Sequence, residues 1–207
     1  MVKIKICGIT NIKDALDSIR LGAHALGFVF YKKSPRYIRP IDAKSIIERL
    51  PSGIMKVGVF VGGSRKSIKN ILRSCKLDAL QLHGGQTPQF CRGFKGYRVI
   101  KCLKVRKAID KKEINRYNVY ALLFDTFDKD VAGGTGRRFD WKLLKGIPRN
   151  NKLFFLSGGL TAGNVGLAIK IVRPDWVDVS SSLESRPGKK DAARVRRFIN
   201  AVKRTKI

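Results

Sequence analysis

The sequence predicts an α/β protein built as one (β/α)8 barrel, the TIM barrel architecture, over residues 1–207. The prediction rests on three features. Short β-branched or aliphatic runs alternate with amphipathic stretches of about ten residues; this alternation occurs eight times; and no linker or low-complexity tract interrupts it. An open doubly wound sheet would give a similar pattern, but eight units favour the closed barrel.

Eight short apolar runs are the predicted strands. They cover residues 2–6, 25–30, 56–61, 79–82, 97–102, 120–124, 153–156 and 176–179. Amphipathic stretches lie between them, and several follow a residue that favours the start of a helix. These predicted start residues are Asn11, Asp42, Ser64, Thr161 and Asp191. Because 207 residues are few for eight units, we expect short loops.

The composition indicates a folded chain with a large positive charge. Hydrophobic residues make up 43% of the chain, which suffices for a packed core and excludes disorder as the main state. The 44 Lys and Arg against 15 Asp and Glu give a formal net charge of +29. Such a charge suits either nucleic acid or a small anionic substrate that enters a basic cleft. No recognisable nucleic-acid motif and no basic stripe with interleaved aromatic residues favours the first class.

The sequence also bears on the compartment and on metals. The longest apolar runs are strand-sized, and residues 1–10 lack the continuous apolar segment of a signal peptide. The chain has four cysteines and two histidines: Cys7, Cys75, Cys91, Cys102, His24 and His83. Their spacing, without any CxxC pair, argues against a zinc or disulfide framework. We therefore expect a reduced, cytoplasmic protein with no membrane partner and no metal.

Reactive side chains follow several predicted strands, at the end of the barrel where active sites lie. They are Cys7, Arg36, His83 and Asp125, after the first, second, fourth and sixth strands. Glycines and serines follow the seventh and eighth strands, where backbone N–H groups can bind a phosphate. The candidate phosphate-binding residues are Gly158, Gly159, Ser181 and Ser182.

Alternation along the first strand predicts a buried ion pair. Val2, Ile4 and Ile6 share the face that packs on helices, so Lys5 and Cys7 point into the barrel. A buried ammonium needs a carboxylate partner. We expect this partner to be Asp178 on the neighbouring eighth strand.

Each of these signals is weak alone, because a lone cysteine is more often a core residue and Gly-Gly is usually only a turn. The site prediction depends on their common position at one end of successive units. His24, Cys75 and Cys91 lie away from that end, and we expect them to be structural. Cys102 ends the fifth strand, where it could line the barrel mouth.

Motifs along the whole chain carry a resemblance to a known family. The segments are KICGIT at 5–10, GAHALGFVF at 22–30, SPR at 34–36, VGVFV at 57–61, QLHG at 81–84, GGTG at 133–136, FDW at 139–141, SGGLT at 157–161, NV at 164–165, VDVSS at 177–181 and PGKKD at 187–191. In this order they are similar to phosphoribosylanthranilate isomerase of tryptophan biosynthesis. The resemblance implies a (β/α)8 barrel that catalyses an Amadori rearrangement of N-(5'-phosphoribosyl)anthranilate without a cofactor.

The resemblance also implies roles for individual residues. Asp125 is implied as the general acid that opens the ribose ring, and Cys7 as the general base that removes the C2' proton. Arg36 is implied to bind the anthranilate carboxylate, and the backbone near the glycines and serines named above to bind the phosphate. His83, which lies in a family motif at the mouth, and Asp178 are also expected among the substrate-binding residues. Asp125 must be protonated when substrate is bound, and we expect burial and the substrate's anionic groups to raise its pKa.

Departures from the family pattern and two alternatives complete the sequence-based expectations. Ser182 stands where the family usually has Gly, so we expect weaker phosphate binding and a raised KM. The related phosphoribosyl isomerase of histidine biosynthesis is one alternative, although it is expected to carry Asp at the position of Cys7. A basic, non-catalytic nucleic-acid-binding barrel is the other. The protein is expected to be a monomer or a homodimer.

Overall fold

Eight parallel strands close into a barrel in the computed structural model, which describes residues 1–126 and 139–206 and, for Lys111, the backbone alone. The strands are β1 Lys3–Cys7, β2 Ala25–Val29, β3 Met55–Phe60, β4 Ala79–Leu82, β5 Arg98–Val105, β6 Ala121–Thr126, β7 Leu153–Leu156 and β8 Trp176–Val179. Each strand pairs with its neighbours in the chain, and β1 pairs with β8 to complete the ring. The predicted fold class is confirmed.

Helices follow the strands around the barrel. They are α1 Ile12–Leu21, α2 Pro40–Ile47, α3 Arg65–Ser74, α4 Pro88–Arg92, α5 Lys111–Arg116, α6 Val165–Val172 and α7 Ala192–Arg204. Short 3-10 helices lie at Trp141–Leu144 and Ser181–Leu183, the first of them between β6 and β7. None of the helices in the described part of the chain is long and apolar enough to cross a membrane.

Three of the predicted helix starts are confirmed and two are wrong. The side chains of Asn11, Ser64 and Asp191 accept hydrogen bonds from backbone N–H groups in the first turns of α1, α3 and α7. By contrast, α2 begins at Pro40, which tolerates the first turn because it has no N–H to lose, so Asp42 lies inside the helix. Likewise α6 begins after Asn164 rather than at Thr161.

Alternate residues on the strands separate two apolar layers. Side chains inside the barrel form one buried cluster, in which the rings of Phe155 and Trp176 stack with their centroids 4.9 Å apart. The opposite faces pack on the helices, and Ile4 and Ile6 of β1 belong to that outer layer as the alternation predicts. Lys5, between them, is fully buried and therefore points into the barrel.

A small antiparallel hairpin follows β8 and shapes one side of the barrel mouth. Its strands are β9 Glu184–Arg186 and β10 Lys189–Lys190. Glu184 and Lys190 are both buried although they carry charges. Because buried charges need partners, this hairpin is expected to join an ion-pair network.

Candidate active site

Cys7 lies at the mouth above a buried ion pair. The Lys5 Nζ donates to Asp178 Oδ1 at 2.8 Å, and the two residues are register partners on β1 and β8, so the predicted contact is confirmed. The Lys5 ammonium also interacts electrostatically with the side chain of Cys7. Burial by itself would lower the pKa of Lys5, but the charges of Asp178 and Cys7 outweigh the burial and raise it. Lys5 is therefore an ammonium in the folded protein.

Arg36 is held by the β9–β10 hairpin. Its Nε lies 2.9 and 3.1 Å from the two carboxylate oxygens of Glu184, and its Nη2 donates to Oε2 at 2.8 Å. Lys190 Nζ donates to the same carboxylate, at 2.8 Å from Oε1, and lies 3.3 Å from both oxygen atoms of Ser180. Ser180 Oγ in turn donates to the carbonyl of Cys7. The network thus connects Arg36 with the backbone of Cys7.

Asp125 lies across the mouth, at the end of β6, between two cationic groups. Its Oδ2 accepts from Lys104 Nζ at 2.6 Å and lies 3.3 Å from His83 Nε2. Burial would raise the pKa of Asp125, but the hydrogen bonds and charges of His83 and Lys104 outweigh it and lower the pKa. Without substrate Asp125 is therefore a carboxylate. The expected rise of its pKa concerns the substrate-bound protein and stays a prediction.

His83 contacts two further side chains at the same side of the mouth, those of Cys102 and Gln81. Its Nε2 also lies 3.8 Å from Cys102 Sγ, and its Nδ1 lies 3.1 Å from Gln81 Nε2. Burial disfavours the charged imidazole, yet the charges and hydrogen bonds of Cys102 and Asp125 raise the pKa of His83 to about 10. At neutral pH His83 is therefore an imidazolium.

The loops after β7 and β8 contain the predicted phosphate-binding residues. Gly158 has φ +85°, and a Cβ there would lie 3.1 Å from Asp125 Oδ1 and would collide with Thr126, so only glycine fits this position. The next residue, Gly159, accepts through its carbonyl from Asn164 Nδ2. Asn164 Oδ1 also accepts from Thr161 N. Asn164 thus stabilises the loop that the sequence prediction placed partly in a helix.

Ser181 and Ser182 lie in the 3-10 helix directly after β8. Ser182 Oγ donates to the carbonyl of Leu160 at 2.6 Å, which connects the loops that follow β7 and β8. Backbone φ at Ser182 is not positive, since the positive-φ residues other than glycine are Lys76, Asn150, Asn151 and Arg173 in the described part of the chain. A glycine is therefore not required here for reasons of backbone conformation.

The structure brings the sequence-predicted residues to one end of the barrel, on both sides of the mouth. The GGTG segment at 133–136 lies outside the described residues. Sequence reasoning missed Lys104, Glu184 and Lys190. For Lys104 a signal was present, because it follows Ile100 and Cys102 at alternate positions of β5 and so faces the barrel interior.

Comparison with known proteins identifies the family. A family model described as N-(5'phosphoribosyl)anthranilate (PRA) isomerase matches residues 4–201. The chain belongs to this family. A relative of that name from Pelobacter propionicus is 47% identical over 206 residues, which cover 100% of this chain and 98% of the relative. A relative of the same name from Pseudomonas putida is 47% identical over 205 residues and 98% of each chain.

Solved structures of phosphoribosylanthranilate isomerases are similar along the same length. The enzyme from Thermotoga maritima has a TM-score of 0.88 and 40% identity, with 98% of this chain and 99% of that chain covered. The enzyme from Thermus thermophilus has a TM-score of 0.90 and 30% identity, with 98% of both chains covered. One structure of the family, 40% identical with a TM-score of 0.85 and covering 98% of this chain and 99% of that chain, was solved in complex with reduced 1-(o-carboxyphenylamino)-1-deoxyribulose 5-phosphate.

Proposed function

We propose that the chain isomerises N-(5'-phosphoribosyl)anthranilate to 1-(2-carboxyphenylamino)-1-deoxyribulose 5-phosphate in tryptophan biosynthesis, with Asp125 as general acid and Cys7 as general base. The observation that carries the proposal is the arrangement of a buried carboxyl and a partly exposed thiol at one barrel mouth, in a chain of the isomerase family. The rearrangement moves two hydrogens and uses no redox cofactor. It therefore needs only proton donors and acceptors at fixed positions.

The first step is opening of the ribose ring. Asp125 gives a proton to the ring oxygen while the nitrogen lone pair forms a C=N bond at C1', which yields an open-chain Schiff base. Because Asp125 is ionised without substrate, it needs a proton before this step. The His83 Nε2, 3.3 Å from Asp125 Oδ2, is placed to supply it. The phosphate and carboxylate of the substrate bring negative charge that favours protonation of Asp125.

The second step is loss of the C2' proton to a base. Cys7 takes this proton, the electron pair of the C–H bond forms the C1'–C2' double bond, and the π electrons of the C=N bond return to nitrogen. The resulting enaminol becomes the ketone when C1' gains a proton and the C2' hydroxyl loses its proton. A thiolate is the form that accepts a proton. The ammonium of Lys5 lies next to Cys7, and the charge of Lys190 also interacts with it. Both lysines therefore lie near the sulfur that takes the proton.

Anionic parts of the substrate match positive groups around the mouth. Arg36 has its Nε and Nη2 on Glu184, so its Nη1 side is the one assigned to the anthranilate carboxylate. The phosphate is assigned to backbone N–H groups of the loops at Gly158, Gly159, Ser181 and Ser182. His83 faces the same mouth, next to Asp125. Asp178 acts on the reaction through Lys5 rather than through the substrate.

Turnover tests the proposal directly, since the anthranilate fluorescence of the substrate is lost when the ring opens and rearranges. We expect Cys7→Ala and Asp125→Ala each to lower kcat by at least about 100-fold. Cys91→Ala, a buried cysteine on α4, and Asp17→Ala, on α1, are the controls and keep the activity. Activity that survives both active-site substitutions would overturn the mechanism, and turnover of the phosphoribosyl substrate of histidine biosynthesis alone would overturn the substrate assignment.

Location, partners and oligomeric state are part of the proposed function. It acts in the cytoplasm, with a phosphorylated small molecule as its partner and with no part for nucleic acid or a membrane. It is a monomer or a homodimer; a relative from Thermotoga maritima is described as dimeric. Sedimentation equilibrium distinguishes the two states.

A further inference from the structure

Three potential metal-ligating side chains converge on the Asp125 side of the mouth. His83 follows β4, Cys102 lies within β5, three residues before the end of that strand and not at its end as expected, and Asp125 lies near the end of β6. Three neighbouring strands thus contribute one group each. One ligand atom from each of them lies within 4.8 Å of the others. All three side chains are largely buried, which means that their positions are set by the barrel and not by a surface loop.

Two of the three distances among these atoms are close to those of a tetrahedral zinc site. Bonds of about 2.3 Å to sulfur and about 2.0–2.2 Å to nitrogen and oxygen place tetrahedral ligand atoms about 3.3–3.7 Å apart. His83 Nε2 is 3.8 Å from Cys102 Sγ and 3.3 Å from Asp125 Oδ2. The third pair, Cys102 Sγ and an Asp125 carboxylate oxygen, lies within 4.8 Å. Side-chain rotations that shorten this distance by up to about 1 Å would bring the set around one ion.

The chemistry of the three groups also fits. Imidazole, thiolate and carboxylate are all common ligands of Zn²⁺, and three protein ligands with an open fourth position are the usual arrangement of an accessible zinc site. We propose that His83, Cys102 and Asp125 form a binding site for Zn²⁺, with the fourth position open to the barrel mouth.

Gln81 supplies the outer contact that such a histidine usually has. A metal-bound histidine donates its second ring N–H to a neighbouring acceptor, which fixes the ring. The Gln81 amide lies 3.1 Å from His83 Nδ1, on the side away from Cys102 and Asp125. Gln81 is buried, and its Oε1 has no hydrogen-bond partner among the described residues. An amide turned so that Oε1 accepts from Nδ1 leaves His83 Nε2 for the ion.

Lys104 competes with the ion for the same carboxylate. Its Nζ lies 2.6 Å from Asp125 Oδ2, and an ammonium at that position repels a divalent cation. The Lys104 side chain is 26% exposed, so it can turn toward solvent when Zn²⁺ binds. Removal of the Lys104 charge should therefore strengthen Zn²⁺ binding.

Occupancy of this site would block the reaction. This step of the argument rests on the proposed function. The ion would bind the Asp125 oxygen that has to carry the catalytic proton, so the Zn²⁺ form would not open the ribose ring. The site is thus inhibitory, and its metal affinity sets the Zn²⁺ concentration at which the enzyme loses activity.

Cobalt spectroscopy tests the site without any reference to activity. Purified protein, stripped with a chelator, is titrated with Co²⁺ alone, and Zn²⁺ affinity is measured by competition with a chromophoric chelator. We expect one ion per chain, a thiolate-to-cobalt charge-transfer band in the near ultraviolet, and intense visible bands of tetrahedral cobalt. Cys102→Ala should lose the charge-transfer band and more than about 100-fold of Zn²⁺ affinity.

Matched variants make the result specific. Cys91→Ala removes another buried cysteine and should leave the spectrum and the affinity unchanged. Lys104→Met should tighten Zn²⁺ binding. Circular dichroism checks that Cys102→Ala is folded, and Cys102→Ser is the second variant if it is not. The absence of a charge-transfer band in the unsubstituted protein, or its persistence in folded Cys102→Ala, would overturn the proposal; the latter result would assign the thiolate to Cys7.

Activity provides the inhibitory readout. Zn²⁺ should inhibit the unsubstituted enzyme and Cys91→Ala at the concentration at which it binds, and Cys102→Ala should need a much higher concentration. Inhibition that is equal in all three would contradict the assignment of inhibition to this cluster. If the isomerase activity itself is absent, the proposed function fails, whereas the cobalt spectrum still decides whether the metal site exists.

Discussion

The two sides of the barrel mouth neutralise their buried charges in different ways. Around Cys7, each carboxylate pairs with buried or nearly buried cations: Asp178 with Lys5, and Glu184 with both Arg36 and Lys190. Around Asp125, the carboxylate contacts a quarter-exposed lysine and a histidine that also contacts a thiol.

This difference indicates that the Cys7 side mainly stabilises the fold, whereas the groups on the Asp125 side can change their contacts. On the Cys7 side the carboxylates and cations are buried together, so we expect disruption of this network to destabilise the fold. Histidine, cysteine and a quarter-exposed lysine surround Asp125, so we expect the Asp125 side to tolerate a change of partners with a smaller loss of stability. Four substitutions test this contrast, in decreasing order of expected effect.

Lys5→Met should cause the largest loss. It leaves Asp178 as an unpaired buried carboxylate, and breaking a buried pair in this way costs about 3–5 kcal/mol of unfolding free energy. Urea denaturation measures the loss. Lys13→Met, which removes the exposed partner of Asp17, is the control and should change stability by less than about 1 kcal/mol. A loss for Lys5→Met no larger than that of the control would refute a structural role for the pair.

Glu184→Gln should cost about 1.5–3 kcal/mol at neutral pH, because hydrogen bonds to two buried cations lose their charge. Burial would raise the pKa of Glu184, but Arg36 and Lys190 outweigh it and lower the pKa in the folded protein. The stability contributed by the lowered pKa is therefore present above the unfolded pKa of about 4.3 and is lost as pH falls through the lower folded value.

Urea unfolding of the unsubstituted protein and of Glu184→Gln at neutral and at acid pH measures this dependence. The gap in stability between them should shrink in acid. A gap that is independent of pH would show that the carboxylate charge contributes nothing to the network.

Ser182→Gly should have a smaller effect, which lowers stability but improves phosphate binding. Loss of the bond from Ser182 Oγ to Leu160 should lower stability by about 0.5–1.5 kcal/mol. A glycine at this position, as the family usually has, should lower KM a few-fold by closer approach of the backbone to the phosphate. Steady-state kinetics and thermal melting check the two signs, and an unchanged KM would refute the role of Ser182 in phosphate binding.

Lys104→Met should change stability least. Its pair with Asp125 is partly exposed, and His83 still contacts the carboxylate after the substitution, so the loss should stay below about 1 kcal/mol. The same urea assay as for Lys5→Met compares one Lys→Met substitution on each side of the mouth. Equal losses at the two positions would abolish the contrast between the two sides.

Strands and their inward faces were predictable from the sequence, because alternation of apolar residues has a direct physical cause. Lys5 illustrates this: its place among apolar neighbours predicted both burial and the pairing with Asp178, which the structure confirms. The starts of α2 and α6 were not predictable with equal success. Pro40 starts a helix without a side-chain cap, and Asn164 lies close to Thr161, which is an equally plausible cap by residue type.

The positions of the candidate site residues followed from the barrel, but their partners did not. Glu184 and Lys190 lie on a hairpin only a few residues long. So short a segment shows no periodic pattern of apolar residues in the sequence. Lys104 had a signal in its alternation with Cys102 on β5, whereas its effect on Asp125 depends on distances between two strands. The same dependence lowers the pKa of Asp125 in the protein without substrate, which local sequence pattern does not reveal. Local pattern predicts a residue's face, and only three-dimensional contacts predict its charge state.

The Lys5–Asp178 pair has a consequence for how the chain is made. Its members are 173 residues apart in sequence and lie on the strands that close the ring. Until the ribosome has synthesised β8, the Lys5 ammonium has no Asp178 carboxylate to pair with. Burial of β1 before that point would leave an unpaired charge inside the barrel. The first strand to be synthesised is therefore among the last to be locked in place, and nascent chains that end before residue 176 should keep their N-terminus open to proteases and chaperones.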